Sequence, residues 1–297
     1  MGQTILLITN YIRKVCLTIM LMMLAAAAVV AIVLIVVLFV FLSYRYRLDE
    51  QTTELERLPA SFEGTNLVFI SDIHRRVIPN RMIEKCIAAG GADLVLIGGD
   101  LRERNVPMER IRDNIKKLAR IAPIYLVYGN HDYDGDMRDL EVMLAEERVR
   151  LLVNESVVLE QRDGSRIRLT GVDDPRTRRD RLSLALSEPE DGSELCTIVL
   201  AHAPILATRL PDDAAIDLIL AGHTHGGQIA LPFMGPVLRR ETDSPWIRGW
   251  FQFPGKRTTG PQLTRLFVSC GFGTSGLPIR FMTPPELHRI TLRRSVR

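Results

Sequence analysis

The chain has 297 residues, 25% of them charged, and a formal net charge of only +3. So small a basic excess excludes an electrostatic nucleic-acid binder, and no nucleic acid is expected as a partner. Four cysteines, Cys16, Cys86, Cys196 and Cys270, form no C-x-x-C pair; they read as small buried hydrophobes rather than a disulfide framework.

A short N-terminal segment, 1–14, ends on Arg13 and Lys14. Residues 15–43 then read as a transmembrane helix. Val15 to Leu42 carries no charge, and Thr18 is its main polar residue. As a helix this stretch would span about 42 Å at ~1.5 Å per residue, against a hydrocarbon core of about 30 Å. The Ala25–Ala28 run resembles a signal-peptide cleavage site, but the apolar run continues far beyond a usual signal core. The segment therefore reads as an uncleaved, single-pass anchor with the lipid bilayer as its partner. Tyr44, Arg45, Tyr46 and Arg47 suit the headgroup interface. Basic residues flank both ends, so charge asymmetry does not fix which side the domain faces.

Residues 44–62 read as a juxtamembrane linker, the polar stretch 49–59 being a linker or a helix extension. From 63 to 297 strand-like and helix-like segments alternate. Strands are expected at 67–70, 94–97 and 124–127, each a continuous apolar run of the kind buried on both faces. Helices are expected at 81–89, at 107–121 with Pro107 near its start, and at 137–147. Further on, 157–160 and 166–169 flank the turn signal Asp163-Gly164. Short strands follow at 197–200, 217–220 and 266–269, and 290–292 is expected to close the sheet. The segment 232–261, rich in Gly, Pro and aromatics, reads as an irregular flap. The pattern predicts an α/β fold, a two-sheet α/β sandwich with helices outside, preceded by the one transmembrane helix. A single doubly wound sheet fits the same pattern.

Five of the six histidines sit just after apolar runs. The motifs are Asp72-Ile73-His74, Gly98-Gly99-Asp100, Gly129-Asn130-His131-Asp132, His202, and Gly222-His223-Thr224-His225. Residues at the carboxyl ends of strands converge on one crevice. Carboxylate, amide and imidazole meeting there are the donors that a pair of divalent cations takes. Any one motif is weak, but five in this order make chance convergence a poor explanation.

The ordered set resembles the calcineurin-like metallophosphoesterase superfamily over nearly all of 65–297. The run 222–228 and the tail from Gly271 to Leu287 are similar to its membrane-associated, bacterial-type branch. The resemblance implies that Asp72, His74 and His225 bind one metal ion and that Asn130, His202 and His223 bind a second, with Asp100 bridging them. It implies that His131 contacts the substrate phosphate and assists the leaving group, with Asp132 orienting it. Asn130 would also face the substrate. Arg75, where related sequences often carry a smaller residue, is a further candidate substrate contact. The cofactors would be two divalent ions, Mn, Fe or Zn, since ligand type does not choose among them.

These features imply a membrane-anchored hydrolase of a phosphodiester or pyrophosphate, for which the tether favours a lipid-linked or nucleotide-activated substrate. The alternatives are a soluble nucleotide or phosphomonoester hydrolase, and a non-catalytic module that keeps the fold. Left without a role are His288, the pairs Asp173-Asp174 and Arg178-Arg179, the aromatics Trp246, Trp250, Phe251 and Phe253, and Ser275 and Arg280, which are weak candidates for substrate contact.

Overall fold

The computed structural model describes residues 2–187, 195–211, 214–231, 233–236, 244–255 and 262–295. Helix α1 (Gly2–Leu42) runs 41 residues without a break, about 60 Å at ~1.5 Å per residue. The segment 1–14 is therefore not a separate piece, because from Gly2 onward it is the first part of this helix. Leu6–Leu42 is long and apolar enough to cross a bilayer, with no part of its most apolar window buried. An apolar helix of this length that no protein face covers has the form of a single-pass anchor.

The first half of the domain holds β1 (Arg47–Leu55), β2 (Asn66–Ile70), α2 (Asn80–Ala88), β3 (Leu94–Gly98), α3 (Met108–Ala119), β4 (Ile124–Val127), α4 (Met137–Glu146) and β5 (Arg150–Leu151). The second holds β6 (Glu155–Glu160), β7 (Arg166–Gly171), α5 (Leu182–Ala185), β8 (Cys196–Leu200), β9 (Leu218–Ala221), β10 (Ala230–Leu231), β11 (Gly235–Pro236), β12 (Gly249–Gly255), β13 (Gln262–Val268) and β14 (Glu286–Arg294). Helix α3 begins one residue later than expected because Pro107, extended at φ −60° and ψ 138°, stands at its N-cap.

Two six-stranded sheets form, in the orders β1-β14-β2-β3-β4-β5 and β12-β13-β9-β8-β7-β6. The sandwich expected from the sequence is thus present, and the single doubly wound sheet is excluded. Alternation along each strand builds three cores. Leu67 and Phe69 of β2 point between the sheets and meet Ile198, Leu200, Leu218, Leu220 and Phe267 of the other sheet. Val68 and Ile70 point the other way, onto Ile83 of α2, Ile111 and Ile115 of α3 and Leu140 of α4. The outer face of the second sheet is covered by Leu182 and Ala185 of α5 and by Leu206 and Leu210. Each such side chain contributes roughly 1.5–3 kcal/mol when fully buried.

Three expectations about the strands need correction. The stretch 49–59 is neither linker nor helix extension over most of its length. It is β1, paired in parallel with β14 from Arg47↔Glu286 to Leu55↔Arg294. Its alternation buries Asp49, Thr53 and Leu55 on one face while Glu50, Thr52 and Glu54 stay out on the other, a two-residue period that its many charges mask; Leu48, on the second face, is buried in the core under the helices. Strand β14 does not close the sheet; it lies inside it, antiparallel to β2. Within the segment expected to be a flap, 249–255 is regular strand β12, paired with β13. Residues 232, 237–243 and 256–261 of that segment lie outside the described residues. Within 244–255, Trp250 packs into the inter-sheet core and Trp246, Phe251 and Phe253 against the outer one. Of the cysteines, Cys86, Cys196 and Cys270 are free and buried, whereas Cys16 is exposed on α1.

Candidate metal centre

The five motif loops leave the carboxyl ends of β2, β3, β4, β8 and β9, and hydrogen bonds lock them together. Asp72 N donates to Gly99 O at 3.0 Å, and His74 N to Asp100 O at 3.1 Å. Five of the donor residues, Asp72, His74, Asp100, His223 and His225, take positive φ of 50–69°. That left-handed region is unfavourable for residues with a Cβ, and such strain collects where surrounding structure enforces a site. Gly99 explains how the loops approach so closely: a Cβ there would lie 2.6 Å from Gly129 N and 2.7 Å from His202 Nδ1.

Two donor groups result, and His131 joins His74 and Asp100 in a third that draws on both. In the first, His225 Nε2 lies 3.1 Å from His74 Nε2 and 3.5 Å from Asp72 Oδ1. In the second, His202 Nε2 lies 3.1 Å from His223 Nδ1 and 3.3 Å from Asp100 Oδ2. Asp100 Oδ2 is also 3.6 Å from His74 Nε2, so one carboxylate oxygen faces both groups. Asn130 Oδ1, in the loop that carries His131, is buried without a hydrogen-bond partner. An orphaned amide oxygen is costly unless something outside the chain satisfies it, and a cation fits that description.

The electrostatics agree. Burial, followed by the Asp100 charge, raises Asp72 to about 6, against the opposing pull of His202. Burial lowers His74 to about 4 and His223 to about 3, and holds His225 well below its ordinary value. These three imidazoles are therefore neutral, the form that ligates metal. For Asp100 and His202 burial opposes charge but is outweighed by their mutual attraction, which lowers the acid and raises His202 to about 10. The other nitrogen, His202 Nδ1, meets Gly98 O at 2.9 Å, the backbone contact that directs Nε2 inward.

His131 sits at the rim. Its backbone N donates to Asp100 Oδ1 at 2.8 Å, and its ring stands edge-on to His74 at 5.2 Å. The carboxylate paired with its Nδ1 is Asp134, at 2.8 Å, not Asp132. Asp132 is fully buried and accepts instead from Gly129 N and Arg102 N, while Arg102 Nε donates to Asp132 O at 2.9 Å. Asp132 thereby fixes the 3-10 turn Asn130–Asp134 rather than the imidazole. Arg75 bonds Glu103 Oε1 at 3.0 Å rather than any candidate ligand, and Glu103 Oε2 lies 3.9 Å from His74 Nδ1.

Arg280 has a position that the sequence does not disclose. It is fully buried, its Nε donates to Gly273 O at 2.7 Å, its Nη1 to Thr283 O at 3.1 Å, and its Nη2 lies 3.2 Å from His225 Nδ1. It backs a donor histidine and is spent on protein partners. Ser275 N donates to Gln228 Oε1 at 2.9 Å, a loop contact. Asp173 accepts from the Tyr133 hydroxyl, and Asp174 from Arg176 N and Thr177 N, so this pair organises a turn. Arg179 lies over the Tyr133 ring at 4.0 Å.

One further constellation has the connectivity of a nucleophile–base–acid chain: Ser269 Oγ is 2.9 Å from His288 Nε2, and His288 Nδ1 is 3.0 Å from Asp49 Oδ2. All three are buried, so no substrate reaches Ser269. The chain is a structural tie between β1 and β14, which gives His288 its packing role.

With this geometry in place, the calcineurin-like phosphoesterase family matches residues 65–227, more than half of the chain. The chain is a member of that family. It is a metal-dependent phosphoester hydrolase with the donor clusters such an enzyme needs. Among its relatives, a Bacillus subtilis protein named YpbG is 37% identical over 227 residues, covering 76% of this chain and 80% of its own. A Danio rerio protein named transmembrane protein with metallophosphoesterase domain is 29% identical, over 81% of this chain and 56% of that one. The Escherichia coli protein named phosphodiesterase YaeI is 29% identical, over 62% and 68%.

Proposed function

We propose that this phosphoesterase is a single-pass membrane enzyme that holds two divalent cations and cleaves a phosphodiester or pyrophosphate presented at the bilayer surface. The single observation that carries the two-ion reading is the Asp100 carboxylate oxygen, within 3.6 Å of donors from both groups. Asp72, His74 and His225 would hold one ion, Asn130, His202 and His223 the other, with Asp100 shared. Cations bound there supply Lewis-acid polarisation of a phosphoryl oxygen and an acidic water. The side chains supply the rest. Asp100 and Asp72 offset the positive charge, and the neutral His74, His223 and His225 imidazoles bind without first losing a proton. His131, held by Asp134 and not counted among the ligands of either ion, carries a proton at the rim where a leaving oxygen needs it.

The anchor supports a lipid-linked substrate, because α1 continues directly into the residues that touch the centre's supports: Ser43 Oγ accepts from Arg280 N at 2.5 Å. A diester is supported by the name of the YaeI relative. A non-catalytic module would have lost donors, whereas all seven donor residues and His131 are retained in this chain. The test is hydrolysis by full-length, Mn²⁺-loaded protein of matched phosphomonoesters, soluble phosphodiesters and lipid pyrophosphates. A preference for the lipid substrates is expected. Equal or better turnover of soluble monoesters would overturn the substrate class, and no turnover of any would return the non-catalytic reading.

A further inference from the structure

A cavity of about 420 Å³ lies where α1 meets the domain, lined by Leu42, Arg45, Arg47, Lys85, Arg280 and Met282 among others. Its position is set by three contacts. The Phe39 ring stacks on Phe281 at 4.7 Å, Tyr46 stacks on Phe272 at 5.0 Å, and the Ser43 hydroxyl meets Arg280 N. Phe39 stands almost a turn before the end of α1, so the loop carrying Phe281 climbs about one pitch, ~5 Å, up the anchor. The cavity therefore opens at the level where an anchor of this kind leaves the hydrocarbon.

Its walls are divided by chemistry. Leu42 and the exposed Met282 are apolar. Arg47 is engaged by Asp49 at 2.7 Å, and Arg280 is fully spent on Gly273, Thr283 and His225. Arg45 and Lys85 are exposed and, among the described residues, bonded to no carboxylate. Two unneutralised cations beside an apolar wall match one ligand shape, a phosphate carrying acyl chains.

The same face presents apolar side chains to solvent. Phe233 and Met234, in the turn between β10 and β11, are 108% and 77% exposed. Their hairpin is held to the anchor's foot, since Ala230 N donates to Phe281 O at 2.9 Å and Ile229 bridges to Phe281. Exposed Leu277 and Met282 lie in the same loop as Phe281. Exposed apolar groups continuous with a membrane anchor are expected where a domain rests on the bilayer.

We propose that this cavity binds the phosphate headgroup of an anionic membrane phospholipid, with its acyl chains alongside α1, and that this lipid seats the domain on the bilayer. The inference rests on α1 spanning the membrane but not on the hydrolytic reading. Each basic residue near an anionic surface contributes about 1 kcal/mol, so removing Arg45 and Lys85 together should weaken binding on the order of tenfold or more.

The experiment is native mass spectrometry of the full chain released from nanodiscs of phosphatidylcholine with phosphatidylglycerol admixed. One retained phosphatidylglycerol is expected, and the Arg45→Gln, Lys85→Gln double variant should lose it. The control pair Lys116→Gln on α3 and Arg120→Gln at its C-cap should retain it. Equal loss in the control, or retention of phosphatidylcholine as readily, would overturn a specific site. Displacement of the lipid by an equal concentration of glycerol 3-phosphate would identify a soluble-phosphate site and overturn the lipid. Alkaline carbonate extraction separates the premises. A chain that stays in the membrane pellet yet retains no lipid overturns this proposal alone, whereas a chain released by carbonate overturns the anchor.

Discussion

At the scale of single residues, Asp100 and His131 are neighbours in space with different duties, and substitutions should separate them. Asp100→Asn removes the charge that both donor groups share, so metal content should fall well below two ions per chain and activity should nearly vanish while the fold persists. Elemental analysis with circular dichroism checks this; full metal content would reject the shared position. His131→Ala should keep its metal and lower kcat by about 10²–10⁴-fold, the usual contribution of a positioned acid. That loss should shrink on nitrophenyl esters, whose leaving groups need no proton. The structure adds Asp134, whose carboxylate holds His131 Nδ1. Asp134→Asn should reproduce the leaving-group dependence of His131→Ala in weaker form. Asp132→Asn should instead loosen the turn Asn130–Asp134 and deplete metal. If Asp132→Asn moves the leaving-group dependence with metal retained, Asp132 rather than Asp134 orients the imidazole.

At the scale of elements, the pairing of β1 with β14 is the least expected feature, and its buried tie makes it testable. Burial acts to raise the Asp49 carboxyl, but hydrogen bonds from His288 and Gln51 and the charges of His288 and Arg47 outweigh it, so its pKa is lowered. A carboxylate lowered on folding adds stability that is present above its unfolded value, ~3.9, and is lost as pH falls through the folded value. The melting temperature should therefore drop between pH 5 and pH 3 more steeply in the intact protein than in Asp49→Asn. Parallel slopes in thermal scans would exclude Asp49 from this linkage. His288→Ala leaves Ser269 and Asp49 buried without their common partner, at a cost of about 1–3 kcal/mol. It should lower stability without removing metal.

At the scale of the whole molecule, the anchor, β1 and the metal centre form one continuous path of contacts. Deleting 1–38 keeps Phe39, Ser43 and all of β1, so it should give a folded, metal-binding domain that no longer sediments with membranes. Deleting 1–62, the boundary the sequence suggests, removes strand β1 with Leu48 and Leu55, exposes one edge of β14 and strips the His288 tie. That protein should aggregate or melt at a markedly lower temperature. If both truncations give equally stable soluble domains, β1 is dispensable.

The sequence by itself determined the long apolar helix, the βα alternation of the first half and the Asp and His side chains that meet at the strand ends. Long apolar runs and donor types placed after strands are local signals, and the strand-end rule converts them into one crevice. What it did not determine is everything that depends on partners distant in sequence. Strand β1 carries its alternation under a charged surface pattern, and its reason for being a strand is β14, more than two hundred residues away. Asp134 and Asp132 differ little in local sequence, and only the fold turns one toward His131 and the other toward Arg102. Arg280 reads in the sequence as a candidate substrate contact until the loop after β13 folds back behind His225 and spends it on protein partners. Ser269, His288 and Asp49 come from three separate segments, and burial alone distinguishes their tie from a catalytic chain. Propensity and spacing are properties of short windows. Burial and hydrogen-bond partners are set by the packing of two sheets, and they decided which polar residues serve the metal centre and which hold the fold.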